Sequence, residues 1–253
     1  SLGKIMRAFY LLLLDRTLTV SEKVRKFFMV GGRISPKAIT VYNGINVEVF
    51  NPDNVDGNLR GELGLKDDTV ILGSIGALEE DKGQRYLFEA ITRLKLEGIN
   101  NIKCIVCGTG PHEKELKKVV HENGLSNEIL FLGFRSDIRS VFKILDILVV
   151  TSLTIEACSM TMLEAQAMML PIIATNISGN PELIVDNSTG ILIPPGDADS
   201  LRDALKYLIQ NLDVRHKMGK NGRFRVLEKF TIEQNVRKTE KIFLEMVQDS
   251  IVR

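Results

Sequence analysis

The chain has 253 residues, more than one typical domain yet short of two full α/β domains of about 150–200 residues each. Apolar residues make up 44% and charged residues 26%, which is the balance of a soluble globular protein with a real core and excludes a disordered or low-complexity chain. Lys plus Arg (33) nearly cancel Asp plus Glu (32), so charge gives no reason to expect nucleic acid or an acidic membrane as partner.

In chain order, the apolar run Phe9-Tyr10-Leu11-Leu12-Leu13-Leu14 comes first. It is far below the ~20 residues that span a bilayer. No small-residue cleavage site follows and Asp15-Arg16 closes the run, so it reads as a buried helix end cut off from something larger. Leu18–Ser21 and Ile39–Tyr42 read as two strands around a helix over Glu22–Val30. A stretch rich in Pro, Asn, Asp and Gly, Asn43 to Asn58, has linker composition and places a domain boundary near residue 44.

From residue 70, short apolar runs alternate with helical patterns. Strand Val70–Gly76 is followed by helix Gln84–Leu96, strand Ile102–Cys107 and a helix that Gly124 stops. Next come strand Ile129–Leu132, a short helix near Asp137–Lys143, strand Ile147–Thr151 and helix Met160–Met169. Strand Ile172–Thr175, a short helix from Pro181 and strand Ile191–Ile193 complete the series. Strands without polar alternation, separated by helices, predict a parallel sheet covered on both faces, an α/β doubly wound fold. After Gly196 three helices follow, Asp199–Gln210, Val214–Lys229 and Ile232–Val252, the last with Val236, Ile242, Phe243 and Met246 as its apolar face.

Cys104 and Cys107 spell C-x-x-C, but inside a β-branched run. A redox pair opens a helix, whereas positions three apart on a strand point to opposite faces. Both therefore read as buried and structural. With Cys158 the count is odd, which suits a reducing, cytoplasmic setting. His112, His121 and His216 fall in polar helical stretches, and no Cys/His metal spacing exists.

In an open parallel sheet, ligands bind beyond the strand C-termini, near helix N-termini. Four loops leave the sheet at that edge. The first, Gly76-Ala77-Leu78-Glu79-Glu80-Asp81-Lys82-Gly83, ends a strand with glycine and opens a helix with lysine and glycine. Lys82 reads either as a point charge for a phosphate or as a solvated lysine among acidic neighbours. The second, Gly108-Thr109-Gly110-Pro111, lets a ligand approach the backbone, but Glu113 stands where a dinucleotide fingerprint needs its third glycine.

The third loop, Thr151 to Ala165, is the most informative. Ser159 is the N-cap of a helix whose Met160, Met162, Leu163, Ala167, Met168 and Met169 imply burial. Thr161 and Glu164 share a face of its first turns, and side chains there lean toward the N-terminus and the crevice. A carboxylate on a buried helix needs partners, and sugar hydroxyls supply them. Glu156, ahead of the helix, reaches the same crevice. The fourth loop, Ile177 to Leu183, reads either as a pocket lining or as a tight αβ connection. Asp197-Ala198-Asp199 opens a helix, where acids cap and complement the dipole rather than hold a metal.

Taken in order, these blocks resemble the C-terminal domain of family 4 glycosyltransferases, retaining enzymes of the GT-B fold. The resemblance runs from Asn43-Gly44-Ile45-Asn46, with Phe50 and Pro52, to Phe230-Thr231. It includes Glu156 and Glu164 at the family's seven-residue separation, Gly179-Asn180-Pro181-Glu182-Leu183, and Gly190 to Asp197. It implies a Rossmann-like sugar-nucleotide domain over residues 44–230. Residues 1–43 would be a remnant of the acceptor domain with its linker, and 231–253 a helix crossing back to that domain. By position, Lys82 and the helix tip at Ser159, Met160 and Thr161 would bind the diphosphate beside Gly76 and Ala77. Glu156 would hold donor-sugar hydroxyls and Glu164 the ribose, with Gly108, Gly133 and Phe134 bordering the base. The catalytic pair would be Glu156 and Lys82.

The resemblance further implies a UDP-sugar or GDP-mannose donor and no metal or other cofactor. An acceptor glycan or lipid-linked saccharide would be held by the N-terminal domain, and peripheral membrane association of the full-length protein is compatible with it. The alternative is a nucleotide-sugar-binding module without transferase activity. Three departures from the family pattern stand out: Ala77 for the usual arginine, Ala157 for a glycine, and Met169 for the glycine before Pro171's segment. By itself the chain is expected to bind a sugar nucleotide weakly and to transfer nothing.

Overall fold

The computed structural model describes residues 13–30 and 33–251. Thr17–Thr19 (β1) pairs in parallel with Ala38–Thr40 (β4), and between them lie helix Glu22–Arg25 (α1) and the antiparallel pair Met29–Val30 (β2) and Arg33–Ile34 (β3). The expected helix over Glu22–Val30 thus stops after one turn. The residues beyond it, Phe27-Phe28-Met29-Val30, are unbroken apolar and aromatic or β-branched, a pattern with no 3.6-residue period that suits a strand. Of the opening apolar run, residues 9–12 lie outside the described residues. Leu13 and Leu14 are described, and both are exposed rather than buried.

Leu59–Glu62 (α2), capped by the Asn58 side chain, precedes the main sheet. Its strands and helices follow as Val70–Ile75 (β5), Gln84–Leu96 (α3), Ile102–Cys107 (β6), Glu113–Glu122 (α4), Ile129–Gly133 (β7), Ile138–Ile144 (α5) and Ile147–Val150 (β8). Met160–Ala167 (α6), Ile172–Thr175 (β9), Asn180–Leu183 (α7) and Gly190–Ile193 (β10) complete it, followed by Ala198–Gln210 (α8), Leu212–Lys229 (α9) and Ile232–Ile251 (α10). The six strands are all parallel, in the order β10-β9-β8-β5-β6-β7. The order runs one way from β5 to β7 and the other from β8 to β10, so the topological switch point lies between β5 and β8.

Both faces of the sheet are covered, as continuous apolar strands require. One layer holds Leu87, Ile91, Leu116 and Leu205 from α3, α4 and α8; the other holds Val141, Met162, Leu163 and Val226 from α5, α6 and α9. Cys104 lies in the first layer and Cys107 in the second, on opposite faces of β6, and burial pushes the Cys104 thiol up to about 12. This is the doubly wound α/β fold read from the sequence.

Several expected burials on α6 and α10 differ. Met160 and Met169 are exposed at the two ends of α6, while Met162, Leu163, Ala167 and Met168 are buried. On α10 only Ile242 of the expected apolar face is buried, Met246 is half-buried, and Val236 and Phe243 are exposed. The two stretches where the sequence sets its boundaries are hydrogen-bonded together. Ile45 donates to the Phe230 carbonyl at 2.9 Å and accepts from Ile232 at 3.0 Å.

Met169 ends α6 with φ of 60°, in the left-handed region. A Cβ there costs about 1–2 kcal/mol, which glycine avoids. Its side chain is 38% exposed, so little packing depends on it. Met169→Gly is therefore expected to raise stability by about 1 kcal/mol after the entropic cost of glycine, and Tm by about 2–4 °C. A calorimetric scan showing no rise would remove the strain argument.

Candidate functional site

The loop after β5 and the loop after β8 meet at the switch point because their backbones are stitched together. Leu153 donates its N–H to the Asp81 carbonyl at 2.7 Å, and the Thr151 hydroxyl donates to the Lys82 carbonyl at 2.8 Å. The Thr154 hydroxyl adds a bond to the Asp81 carboxylate at 3.1 Å. This seam brings together two side chains 74 residues apart in sequence: the Lys82 ammonium donates to Glu156 Oε1 at 2.6 Å. The Ser152 hydroxyl donates to the same oxygen at 2.8 Å. The Lys82 and Glu156 side chains are 28% and 15% exposed, so the pair is partly withdrawn from water and is held more firmly than a surface ion pair.

The tip of α6 closes the same hollow. The Ser159 hydroxyl accepts from the Met162 N–H at 3.4 Å, as an N-cap does. The N–H groups of Met160 and Thr161 have no acceptor among the described residues. Together with Gly76, Ala77, Gln84 and Ser152, these residues line a cleft of about 330 Å³ at the ends of β5 and β8. Its charge is one ammonium, one carboxylate and the positive end of a helix dipole.

A second cleft of about 480 Å³ adjoins it across Ile75, Gly76 and Ala77. Its walls are Gly108, Thr109, Phe134, Arg135, Ile138 and Glu164. Gly108 has φ of +140°, and a Cβ there would stand 1.9 Å from the Gly76 carbonyl oxygen, so only glycine lets the two loops approach this closely. Phe134 is 79% exposed, an apolar ring presented at the rim. Arg135 is held by the Asp137 carboxylate, which keeps the guanidinium firmly protonated and the carboxyl below its usual range. The Glu164 carboxylate makes no hydrogen bond or ion pair among the described residues, and burial pushes it above the usual range.

The residues singled out from the sequence are thus divided between two joined hollows. Lys82, Glu156, Ser159, Met160 and Thr161 line the first, Gly108, Phe134 and Glu164 the second, and Gly76 and Ala77 both. Thr161 and Glu164, expected on one face, look into different hollows across a common rim. Gly133 lines neither; its carbonyl accepts the Gly108 N–H at 2.8 Å and so sets the loop behind the wall. Ala157, expected to resist positive φ, does not adopt it, so the alanine is unstrained. Asp197 caps α8, accepting from the N–H groups of Asp199 and Ser200 at 3.0 and 2.9 Å.

Ser152, Gln84 and Arg135 were not read from the sequence. Ser152 carried a signal, being polar directly after a buried strand. Gln84 opens a helix as an ordinary polar residue, and Arg135 looks like any charged loop residue, so neither carried one. Gln84 is 4% exposed; its amide donates to the Ala77 carbonyl at 3.0 Å, and its Oε1 is buried without a partner. Among the described residues, no three His, Cys, Asp or Glu side chains are grouped as a metal site would need.

Residues 55–225 match the family described as Glycosyl transferases group 1. The chain is 32% identical over 218 residues to an Escherichia coli protein, UDP-Gal:alpha-D-GlcNAc-diphosphoundecaprenol alpha-1,3-galactosyltransferase, covering 85% of this chain and 56% of that one. Among solved structures, a glycosyltransferase from Rickettsia africae superposes with a TM-score of 0.87 at 26% identity, over 95% of this chain and 66% of that one. Anabaena HepE in complex with UDP-glucose superposes with a TM-score of 0.81 at 23% identity, over 90% and 63%. The chain spans about half the length of the curated relatives it matches.

Glu164 carries a burial cost that shows in the free protein. Its carboxyl is raised in the fold relative to the unfolded chain, so the folded state holds the proton more tightly. The cost is present above the folded pKa and is relieved as pH falls through it toward the unfolded value. Glu164→Gln is expected to stabilise the free protein by about 1 kcal/mol at neutral pH. The advantage should shrink in acid, and melting curves across pH that show a constant gap would assign the effect to something else.

Proposed function

The chain belongs to the group 1 glycosyl transferases, and on that premise we propose that it is the donor-binding half of a retaining, metal-independent glycosyltransferase. The observation that carries the reading is the meeting of the Lys82 ammonium, the Glu156 carboxylate and the free N–H groups of the α6 tip at the sheet's switch point. A diphosphate suits the ammonium and the helix tip. A sugar presents hydroxyls, which suit the free oxygen of Glu156. On the far side of Gly76 and Ala77, Glu164 accepts ribose hydroxyls, and Phe134 offers a face to a base. The names of the relatives agree, one acting from UDP-Gal and another solved with UDP-glucose.

In the proposed transfer the bond between the sugar's anomeric carbon and the β-phosphate oxygen breaks, and the nucleoside diphosphate leaves with the electron pair. Lys82 and the α6 dipole stabilise that developing charge. The acceptor hydroxyl bonds to the same face of the anomeric carbon, and its proton passes to the departing phosphate oxygen. Lys82 and the helix tip supply this stabilisation without a metal ion. The acceptor is bound by the part of the protein this chain does not contain, and a lipid-linked saccharide fits the acceptor in the E. coli relative's name. A cytoplasmic setting is supported by three buried, unpaired cysteines. No helix among the described residues is long and apolar enough to cross a membrane.

One observation favours a second reading, a binding module that transfers nothing. Ala77 is exposed between the two clefts, where the family pattern places an arginine, and Arg135 nearby is engaged by Asp137. Ala77→Arg in the full-length protein separates the two. Wild-type transfer that the arginine leaves unchanged rules out the module, while transfer that appears only with the arginine favours it.

Calorimetric titration of this chain with UDP, GDP, ADP and their sugars tests the main reading, which expects one nucleotide series to bind. For that series Lys82→Ala is expected to weaken the nucleoside diphosphate about 10–100-fold, and Glu164→Gln about tenfold. The same Glu164 variant would then be more stable and bind less, a combination that a purely structural carboxylate does not give. Binding unaffected by either substitution would reject the site.

A further inference from the structure

Glu182 belongs to the fourth loop and lines neither cleft, yet its carboxylate accepts three hydrogen bonds from residues 140 to 160 positions away in sequence. Its Oε2 accepts the Glu22 N–H and the Tyr42 hydroxyl, both at 2.8 Å, and its Oε1 accepts the Lys23 N–H at 2.8 Å. The carboxylate therefore caps α1 and binds the end of the segment after β4, gathering two parts of the N-terminal piece. Burial and the bond to Glu182 push the Tyr42 hydroxyl well above its usual range, so it remains a donor. The backbone of Glu182 is fixed from the other side, where Arg225 donates to the Glu182 and Leu183 carbonyls at 2.6 and 3.0 Å.

The same short loop bears on Glu156. Gly179 donates its N–H to the Glu156 carbonyl at 2.8 Å, and a Cβ on Gly179 would lie 2.0 Å from the Ala157 carbonyl oxygen. Glu182 in turn donates its N–H to the Gly179 carbonyl at 2.9 Å, closing the turn between them. Asn180 holds the end of β9 by donating to the Thr175 carbonyl at 2.9 Å, and the Thr175 hydroxyl donates to the Ser152 carbonyl at 2.7 Å. Asn43, next to Tyr42, donates to the Cys158 carbonyl at 3.2 Å. No slack is left between the N-terminal piece and the backbone that carries Glu156.

We propose that Glu182 is a positioning residue that ties the placement of the N-terminal piece, through Gly179, to the backbone of Glu156. Resting on the donor-binding reading above, this makes the grip on the donor sugar depend on how that piece sits. The grip on the base and ribose, made at Gly108 and Glu164 on the other side of Gly76, is independent of it. Hydrogen bonds, unlike apolar contact, lose their alignment over small displacements. Three of them on one carboxylate convert a shift of α1 into a pull on α7.

Hydrogen exchange and titration of the whole chain test this, comparing the wild type with Glu182→Ala, Glu182→Gln and the milder Tyr42→Phe. Exchange at Gly179 and over residues 152–159 is expected to quicken about tenfold in Glu182→Ala, while residues 108–112 stay unchanged. The affinity ratio of UDP-glucose to UMP, or of GDP-mannose to GMP if the donor panel selects it, should fall about fivefold with the monophosphate held within about twofold. Tyr42→Phe should move both readouts the same way by less. Unchanged exchange at Gly179, or equal weakening of nucleotide and sugar nucleotide, would overturn the proposal and leave Glu182 a packing residue. If the wild type binds neither ligand, the donor reading fails, and the exchange measurement alone decides the tie.

Discussion

The 2.6 Å bond between Lys82 and Glu156 is the contact on which the site depends, because neither charge could sit where it does alone. Glu156 is largely withdrawn from water, and a carboxylate so placed without a partner would distort its loop or take up a proton. Lys82 rises among Glu79, Glu80 and Asp81, any of which could draw the ammonium outward. The seam from Asp81 and Lys82 to Thr151 and Leu153 settles the competition by fixing the backbone first. The site is therefore assembled and electrically balanced before any ligand arrives. In the proposed reading a diphosphate would meet a cation already aimed at it, and the energetic question is how much of that ammonium Glu156 would give up.

This balance is local to one of the two hollows. Glu164, on the third residue after Thr161, has no cation and no donor among the described residues, and its raised carboxyl records the cost. The two glutamates are eight positions apart in sequence and stand in opposite electrostatic states. One is satisfied by the protein, and the other has no protein partner for its carboxylate. Buried polar groups are usually paired, so the asymmetry agrees with the role proposed for Glu164 in accepting ligand hydroxyls.

Much of this was legible in the sequence, and the limits of legibility are physical. The strands β5, β6, β8 and β9 could be read because each is mostly apolar with no polar alternation, a signal that survives without knowledge of partners. The same was true of Ser159 and Asp197, whose capping roles are set by the next three residues. The α1 segment misled because Glu22 to Arg25 begins a helix well, and the strand that starts at Met29 depends on pairing with Arg33 and Ile34. The face of α10 was misjudged because an amphipathic pattern says which side is apolar and not whether anything covers it. The role of Glu182 went unread because its partners are distant in sequence. Glu182 lies 160 positions from the N–H of Glu22.

The departures from the family pattern also separate under this view. Ala157 is conformationally innocent, since its backbone avoids the left-handed region. Met169 is the opposite case: it adopts φ of 60° at the end of α6, where α9 packs so closely that a Cβ on Gly219 would lie 1.9 Å from its carbonyl. The turn is thus imposed by helix packing, and the methionine endures it. Ala77 is different again, because nothing local is strained and what is missing is a charge. It stands between the two hollows, whose lining cations are Lys82 on one side and the tethered Arg135 on the other. In the proposed transfer, a leaving group developing charge there would rely on Lys82 and the α6 tip, so turnover is the property this single difference would affect most.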